Sequence, residues 1–491
     1  GDAVPPELDA ETFRSLGHSL VDQLAEFFET IRERPVTPGR PPAYYRALLD
    51  DSPLPEEGSD PARLLAHASE LLLENSLFNG HPRFCGYVTS SAAPLGALAD
   101  LLASAINQNV GAWSLSPLAT EIERQCLRWL AELVGYPTDC GGVLVSGGNM
   151  ANFVGVLAAQ RAKASWDLRA RGPGGGPPMR LYASEETHTW MQSAADLFGL
   201  GTDAIRWIPC DSEARMNPAA LRTRIEEDLA ADLLPFLVSA TAGTVSTGAV
   251  DPLAEIAAVC RDHDLWFHVD GAYGAPAATL PELDATMAGL AEADSLALDP
   301  HKWLYCPLEA GCVLVRHAEH LPKAFSFQPD YYHFEGDEED PPINFYEWSP
   351  QNSRGFRALK VWLTVQQVGR AGYEQTIRQD IALARALHQA ADAHPELEAL
   401  SHGLSITTFR YVPAELSREG TERAEYLDHL NTRLLEHLQA GGQAYLSNAT
   451  VQGAFALRAC IVNFRTTAED IAALPELVAG IGRRLHAEPA P

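Results

Sequence analysis

Residues Leu298 to Trp303 read L-D-P-H-K-W, between the apolar runs S-L-A-L and C-V-L-V. A lysine just past a buried strand must be desolvated, paired or chemically used, because an isolated ammonium is costly to remove from water. Lys302 is one of four chemically capable groups that follow apolar, strand-like runs. Ser146 to Asn152, S-G-G-N-M-A-N, opens a helical stretch. Glycines there let backbone N–H groups approach an anion, and a helix N-terminus favours negative charge. His188 stands in T-H-T-W, and Asp270 ends the strongly apolar L-W-F-H-V-D. A carboxylate at such a place is expensive unless it meets a cation. Taken singly, each has a plain structural explanation: a tight turn, a structural histidine, a helix cap or salt bridge. Open parallel sheets bind ligands beyond the carboxyl ends of their strands, however, so the four can share one site.

Jointly they ask for a ligand with a phosphate, an aromatic ring, a ring nitrogen and an aldehyde. Pyridoxal 5'-phosphate has all of these. Lys302 would form the Schiff base, and Asp270 would pair with the protonated ring nitrogen and keep the ring electron-withdrawing.

The elements that must position these groups are visible as alternation. From about Phe84 to Arg370, short apolar runs (G-V-L-V, R-L-Y-A-S, F-L-V-S-A-T, L-W-F-H-V-D, S-L-A-L) exchange with helical patterns or loops. That predicts an α/β domain with a mostly parallel sheet. G-P-G-G-G-P-P at Gly172 to Pro178 reads as a surface loop. A long helical stretch begins near Arg354. Beyond it, strands are expected at Ser405 to Tyr411 and Ala454 to Phe464, with helices around them, as in a smaller α+β domain. At the front, Phe13, Leu16, Leu20, Leu24, Phe27, Phe28 and Ile31 form one apolar helical stripe, closed by Pro35, Pro38, Pro41 and Pro42. A lone amphipathic helix must dock on the rest of the chain or on a partner subunit. The expected boundaries are 1–84 for the arm, 85–375 for the large domain and 376–491 for the small one.

Composition narrows the function. Of 491 residues 46% are hydrophobic, and the charges sum to 36 − 65 = −29. No basic patch is evident, so nucleic acid is not expected as a partner. No apolar stretch approaches the ~20 residues that span a bilayer, so no membrane is expected either. The opening G-D-A-V-P-P-E-L-D has neither a basic region nor an apolar core and is not read as a secretory leader. The eight cysteines are scattered without a C-x-x-C, which argues against a zinc site or disulfide framework and for a reduced, cytoplasmic protein. No metal is expected.

Five ordered motifs then carry a resemblance: H-P-R-F-C-G-Y (His81 to Tyr87), W-S-L-S-P-L-A-T-E-I-E (Trp113 to Glu123), H-V-D-G-A-Y-G, D-P-H-K-W and S-R-G-F-R-A-L-K-V-W (Ser353 to Trp362). The chain resembles the pyridoxal-phosphate-dependent decarboxylases acting on aromatic amino acids, histidine or glutamate, most closely the aromatic branch, over about His81 to Leu387. The resemblance implies the aspartate-aminotransferase-like fold (fold type I): a mostly parallel seven-stranded sheet, a small C-terminal α+β domain and an N-terminal helical arm. It also implies a homodimer with the active site at the interface. By the same resemblance, Lys302 is the Schiff-base lysine, Asp270 binds the ring nitrogen, Ala272 and His188 flank the ring, and Gly148, Asn149 and His301 hold the phosphate. In T-A-G-T-V-S-T-G, Thr244 is taken as a cofactor contact, while Val245 stands where a second threonine is common. Tyr87, Val88, Thr89 and Ser90 resemble the substrate wall, of which Tyr87 and Thr89 are the substrate contacts taken here. Asn109 and Gly111 stand where animal relatives carry bulkier residues.

The family's proton donor is a tyrosine in a loop. Counting back from S-R-G-F-R without gaps gives Phe345, with Tyr346 beside it. A one-residue shift makes Tyr346 the donor, acting with His188; Phe345 there would instead point to an aldehyde synthase. The acidic stretch Glu335 to Pro342 is expected to close over the site. The expected reaction is decarboxylation of a small-molecule amino acid, of the Trp, Tyr, Phe or dopa type, to the amine. No cationic group for a second substrate carboxylate is evident, which disfavours glutamate. An aldehyde synthase is the main rival, and an aminotransferase of the same fold a weaker one.

Overall fold

The computed structural model describes residues 6–49, 52–327, 341–417 and 419–488. The large sheet contains β1 (Gly141–Val145), β2 (Met179–Ser184), β3 (Ile205–Ile208), β4 (Leu234–Thr241), β5 (Trp266–Asp270), β6 (Ser295–Leu298) and β7 (Gly311–Val315). Their order is β1-β7-β6-β5-β4-β2-β3. Strands β3, β2, β4, β5 and β6 pair in parallel, while β7 runs antiparallel to both β1 and β6. β1 therefore points the same way as the parallel set. Strands β1, β5, β6 and β7 are buried throughout, which is why they read as continuous apolar runs rather than alternating ones. Because β1, β2, β4, β5 and β6 all point one way, the residues after them gather at one edge.

The second sheet is antiparallel, ordered β10-β11-β9-β8, from β8 (Leu397–Gly403), β9 (Ile406–Tyr411), β10 (Ser447–Val451) and β11 (Ala454–Cys460). Leu387, Phe409, Tyr411, Leu434, Leu457 and Val478 lie in its own core. The helix Ala358–Ala393 joins the two domains, so residue 375, the expected boundary, falls inside a helix rather than in a linker. Cys85 also belongs to the small domain's layer: its N–H donates to Tyr445 O and its carbonyl accepts from Cys460 N–H.

The N-terminal helix spans Ala10–Thr30, capped by Asp9, whose carboxylate accepts from the Glu11 and Thr12 N–H groups. None of its residues is buried; Phe13 is 56% exposed. Its stripe residues Leu16, Leu20 and Leu24 are half-buried, the helix contacts the helix Pro61–Asn75, and its C-terminal end docks through Phe27 against Phe78, followed by the ion pair Arg32–Asp470.

Two of the quoted motifs prove to be structural. Glu123, from the W-S-L-S-P stretch, and Arg354, from S-R-G-F-R, form a fully buried ion pair. Arg354 also donates to the carbonyls of Val110 and Leu144, and Glu123 accepts from Leu144 N–H. This knot fixes β1 just before its glycine turn.

Candidate active site

Beyond the strand ends lies a cavity of about 570 Å³. Its walls include Ser146 to Asn149, His188, Asp270, Ala272, His301 and Lys302, with Tyr87, Val88 and Thr89 at one side. The sequence scattered these groups over more than two hundred positions; the sheet brings them together.

The helix Gly148–Lys163 starts at the cavity, and its N-cap residue Gly147 supplies no side-chain cap, which leaves the first N–H groups of the helix for an anion there. A side chain at Gly148 would reach within 2.8 Å of Asp299 Oδ2 and 3.1 Å of Ala272 Cβ, so the cradle is kept open by the missing Cβ. Asp270 is buried. Its Oδ1 accepts from Ala272 N–H at 3.1 Å and its Oδ2 from the Trp190 indole N–H at 2.7 Å. Two donors thus orient the carboxylate and leave its remaining lone pairs toward the cavity. His188 Nδ1 accepts from Trp190 N–H at 3.1 Å, so in the neutral ring Nε2 carries the proton. Desolvation by the cavity walls pushes the His188 pKa below its usual value; Asp270 opposes this and Lys302 adds to it.

Lys302 follows β6 on a turn locked from behind. Trp303 Nε1 and Tyr305 OH both donate to Asp380 Oδ2, at 2.9 and 2.7 Å, and Trp303 stacks on Tyr273. Burial pulls the Lys302 pKa down, but the carboxylates of Asp299 and then Asp270 outweigh it and leave it raised. His301 Nδ1 accepts from Ala310 N–H at 3.0 Å, and burial pushes its pKa down.

Several expected residues sit elsewhere. Thr244 does not line the cavity. Its hydroxyl is buried in its own turn, 3.0 Å from Thr247 Oγ1 and accepting from Ala249 N–H. The threonine that does line it is Thr241, three residues earlier, with a buried hydroxyl that has no hydrogen-bond partner among the described residues. Tyr346 is also absent from the lining; it lies in a short 3-10 turn (Phe345–Glu347), its N–H donating to Gly111 O. Phe345 is fully buried against Trp348 and Arg354. Neither residue reaches the site within one chain, because the turn is fixed to Gly111 rather than to the cavity rim. Two further tyrosines, Tyr331 and Tyr332, and the acidic stretch 335–340 lie outside the described residues. Asn109 and Gly111 likewise stand off the cavity: Asn109 Oδ1 accepts from the Gly111 and Arg354 N–H groups. Ser90 supports the site from outside it, donating to His301 O.

Among the lining residues that sequence reasoning missed are Trp190, Thr241, Asp299 and Arg458. Asp299 was in plain view beside Pro300 and His301. Arg458 comes from β11 and brings a guanidinium to the cavity wall. It donates to Val245 O and, at 2.9 Å, to Ser447 Oγ. Nothing in the local pattern of A-L-R-A-C announced it, since only the domain packing carries it to the cavity.

An anion cradle, an oriented carboxylate and a half-buried lysine around one cavity fit a phosphorylated pyridine aldehyde, so the fold and site define an enzyme of the pyridoxal-phosphate class. Residues 42–412 match the pyridoxal-dependent decarboxylase conserved domain. The chain is 35% identical to an aromatic-L-amino-acid decarboxylase of Bacillus atrophaeus, over 95% of this chain and 94% of the relative. It is 29% identical to a phenylacetaldehyde synthase of Petunia hybrida, over 92% and 90%. The crystal structure of Oryza sativa TDC with PLP and tryptamine superimposes with a TM-score of 0.90 at 28% identity, covering 97% of this chain and 99% of that one. The chain belongs to the pyridoxal-dependent decarboxylase family, and it is a pyridoxal-phosphate-dependent amino-acid decarboxylase.

Proposed function

We propose that the chain decarboxylates an aromatic L-amino acid to its amine and carbon dioxide, as a homodimer in a reducing, cytoplasmic compartment. The observation that carries the reading is the convergence of Lys302 and Asp270 on one cavity whose floor is the Gly148 cradle. The cofactor, when bound, supplies an electron sink for the pair left behind as the carboxylate departs. The chain's residues do the rest. The N-terminus of the Gly148–Lys163 helix, with Asn149 and His301, binds the phosphate. Asp270, held by Trp190 and Ala272, pairs with the ring nitrogen and keeps it charged. Lys302 would offer the amine that holds the cofactor. His188, neutral at physiological pH by its lowered pKa, presents a protonated Nε2 that can hand a proton to the substrate carbon.

An aromatic side chain is supported by the Bacillus relative and by the apolar surface that Tyr87, Val88 and Leu308 offer at the cavity. Arg458 does not argue for an acidic substrate, because two of its nitrogens already serve Val245 and Ser447. Dimerisation is supported by the exposed apolar residues Leu98, Leu101, Leu102 and Ile106 along one helix and Phe13 and Val21 along the arm. All eight thiols are free, in keeping with a reducing compartment.

The test is to incubate the protein and pyridoxal phosphate with each amino acid in turn, and to measure carbon dioxide, amine, aldehyde and peroxide together. Amine and carbon dioxide in equal amounts, best with an aromatic substrate, support the reading. Aldehyde with matching peroxide replaces it by the aldehyde-synthase reading.

A further inference from the structure

Asp299 is fully buried and lines the cavity. Its Oδ2 lies 3.0 Å from Lys302 Nζ and 3.7 Å from His301 Nε2. Neither oxygen has a partner with hydrogen-bond geometry among the described residues, so Lys302 approaches obliquely and the contact is an ion pair. A buried carboxylate without hydrogen bonds is stable only against a cation. The backbone enforces the contact: Asp299 N–H donates to Ala272 O, and Lys302 N–H donates to Asp299 O at 2.9 Å. Gly148 leaves no Cβ to displace the carboxylate.

We propose that Asp299 is the positioning residue of Lys302: its carboxylate holds the lysine as an ammonium, aimed into the cavity, whenever that amine is free. The inference deepens the proposed decarboxylase reading and rests on it for its purpose. In that setting the amine would be free of the cofactor while substrate is bound. Asp299 then keeps the displaced side chain from swinging away, and the ammonium sheds one proton to solvent before it attacks a carbonyl again. The other titratable groups that bear on Lys302 are Asp270, which supports the charge from β5, His188 and His301, which are neutral when their pKa values are lowered, and the Cys460 thiol from the small domain. Burial pushes that thiol up to about 12, so it adds no charge near neutral pH.

The experiment uses the full chain freed of cofactor. Trace acetic anhydride labels lysines between about pH 7.5 and pH 9.5, and peptide mass spectrometry compares Lys302 with exposed Lys323. In the unaltered protein the Lys302 labelling rate climbs about tenfold per pH unit with no plateau, as for an amine still charged throughout. In Asp299→Asn the Lys302 profile moves down by about 1–3 pH units and its rate near neutral pH rises at least about tenfold. Asp299→Glu returns it toward the original. A merely structural aspartate would lower stability and leave the profile in place. A plateau in the unaltered protein, or an unchanged profile in Asp299→Asn, overturns the proposal. Should Asp299→Asn fail to fold, the plateau alone decides. Because no cofactor is present, a shifted profile in a protein that then fails to take up pyridoxal phosphate would sink the decarboxylase reading and leave the Asp299–Lys302 pair standing.

Discussion

Asp380 ties the helix that joins the two domains to the turn that carries Lys302, and its environment gives it a measurable signature. Burial pushes its pKa from the ordinary 3.8 up to about 7, with the donors Tyr305 and Trp303 only partly offsetting this. Below the unfolded value the acid is neutral in both states. Between about 4 and 7 the folded protein binds a proton that the unfolded chain has lost, so stability falls as pH rises through this window. At about 1.4 kcal/mol per pH unit the full gap amounts to about 4 kcal/mol, of which about 2–3 kcal/mol falls between about pH 5 and pH 8.5. Asp380→Asn cannot ionise, and its amide oxygen still accepts from Trp303 and Tyr305. The assay is urea unfolding of parent and variant at both pH values and one protein concentration. The parent is expected to lose about 2–3 kcal/mol more than the variant on going to the higher pH. Parallel pH dependences, within about 0.5 kcal/mol, would refute the reasoning.

Three further outcomes are expected. Gly148→Ala places a methyl group against Asp299 and Ala272; overpacking of about 1–3 kcal/mol corresponds to cofactor affinity roughly tenfold to hundredfold weaker, read by equilibrium titration with pyridoxal phosphate. Glu123→Gln leaves the buried Arg354 guanidinium without its counter-charge, at a cost of about 3–5 kcal/mol in unfolding free energy, whereas exposed Arg14→Ala changes stability by less than about 1 kcal/mol. Tyr346→Phe is expected to leave the product an amine, since Tyr346 stands off the cavity; a switch to aldehyde and peroxide would show that it reaches the reacting carbon.

Much of the large domain was legible because its strands are buried on both faces and therefore announce themselves as unbroken apolar runs. β1, β2, β4, β5, β6 and β7 all coincide with runs read from the sequence. β3, I-R-W-I, escaped notice because it is a short edge strand whose middle residues are partly exposed. In the small domain β8 and β10 were missed for a related reason: each carries exposed or half-exposed residues through most of its length. The long helix was expected to begin near Arg354 and begins at Ala358, an ordinary difference at a helix end. At the site, strand ends were readable, so Lys302, Asp270, His188 and Gly148 were expected to share one site, and all four line the cavity. What failed was counting along irregular chain. T-A-G-T-V-S-T-G contains three threonines, and only the turn's geometry decides that Thr241 faces the cavity and Thr244 does not. The same applies to Tyr346, inferred by counting through a stretch with no periodicity to check it. Arg458 arrives from another domain, which no local pattern encodes.

The central claim is that Lys302 and Asp270 serve one ring. The direct measurement is to add pyridoxal phosphate to the purified protein, reduce with borohydride, and map the modified peptide in the unaltered chain and in Asp270→Ala. The account predicts the reduced cofactor on Lys302 alone, with occupancy falling sharply in Asp270→Ala at limiting cofactor. Modification at another lysine, or full occupancy of Lys302 at limiting cofactor without the Asp270 carboxylate, would contradict it.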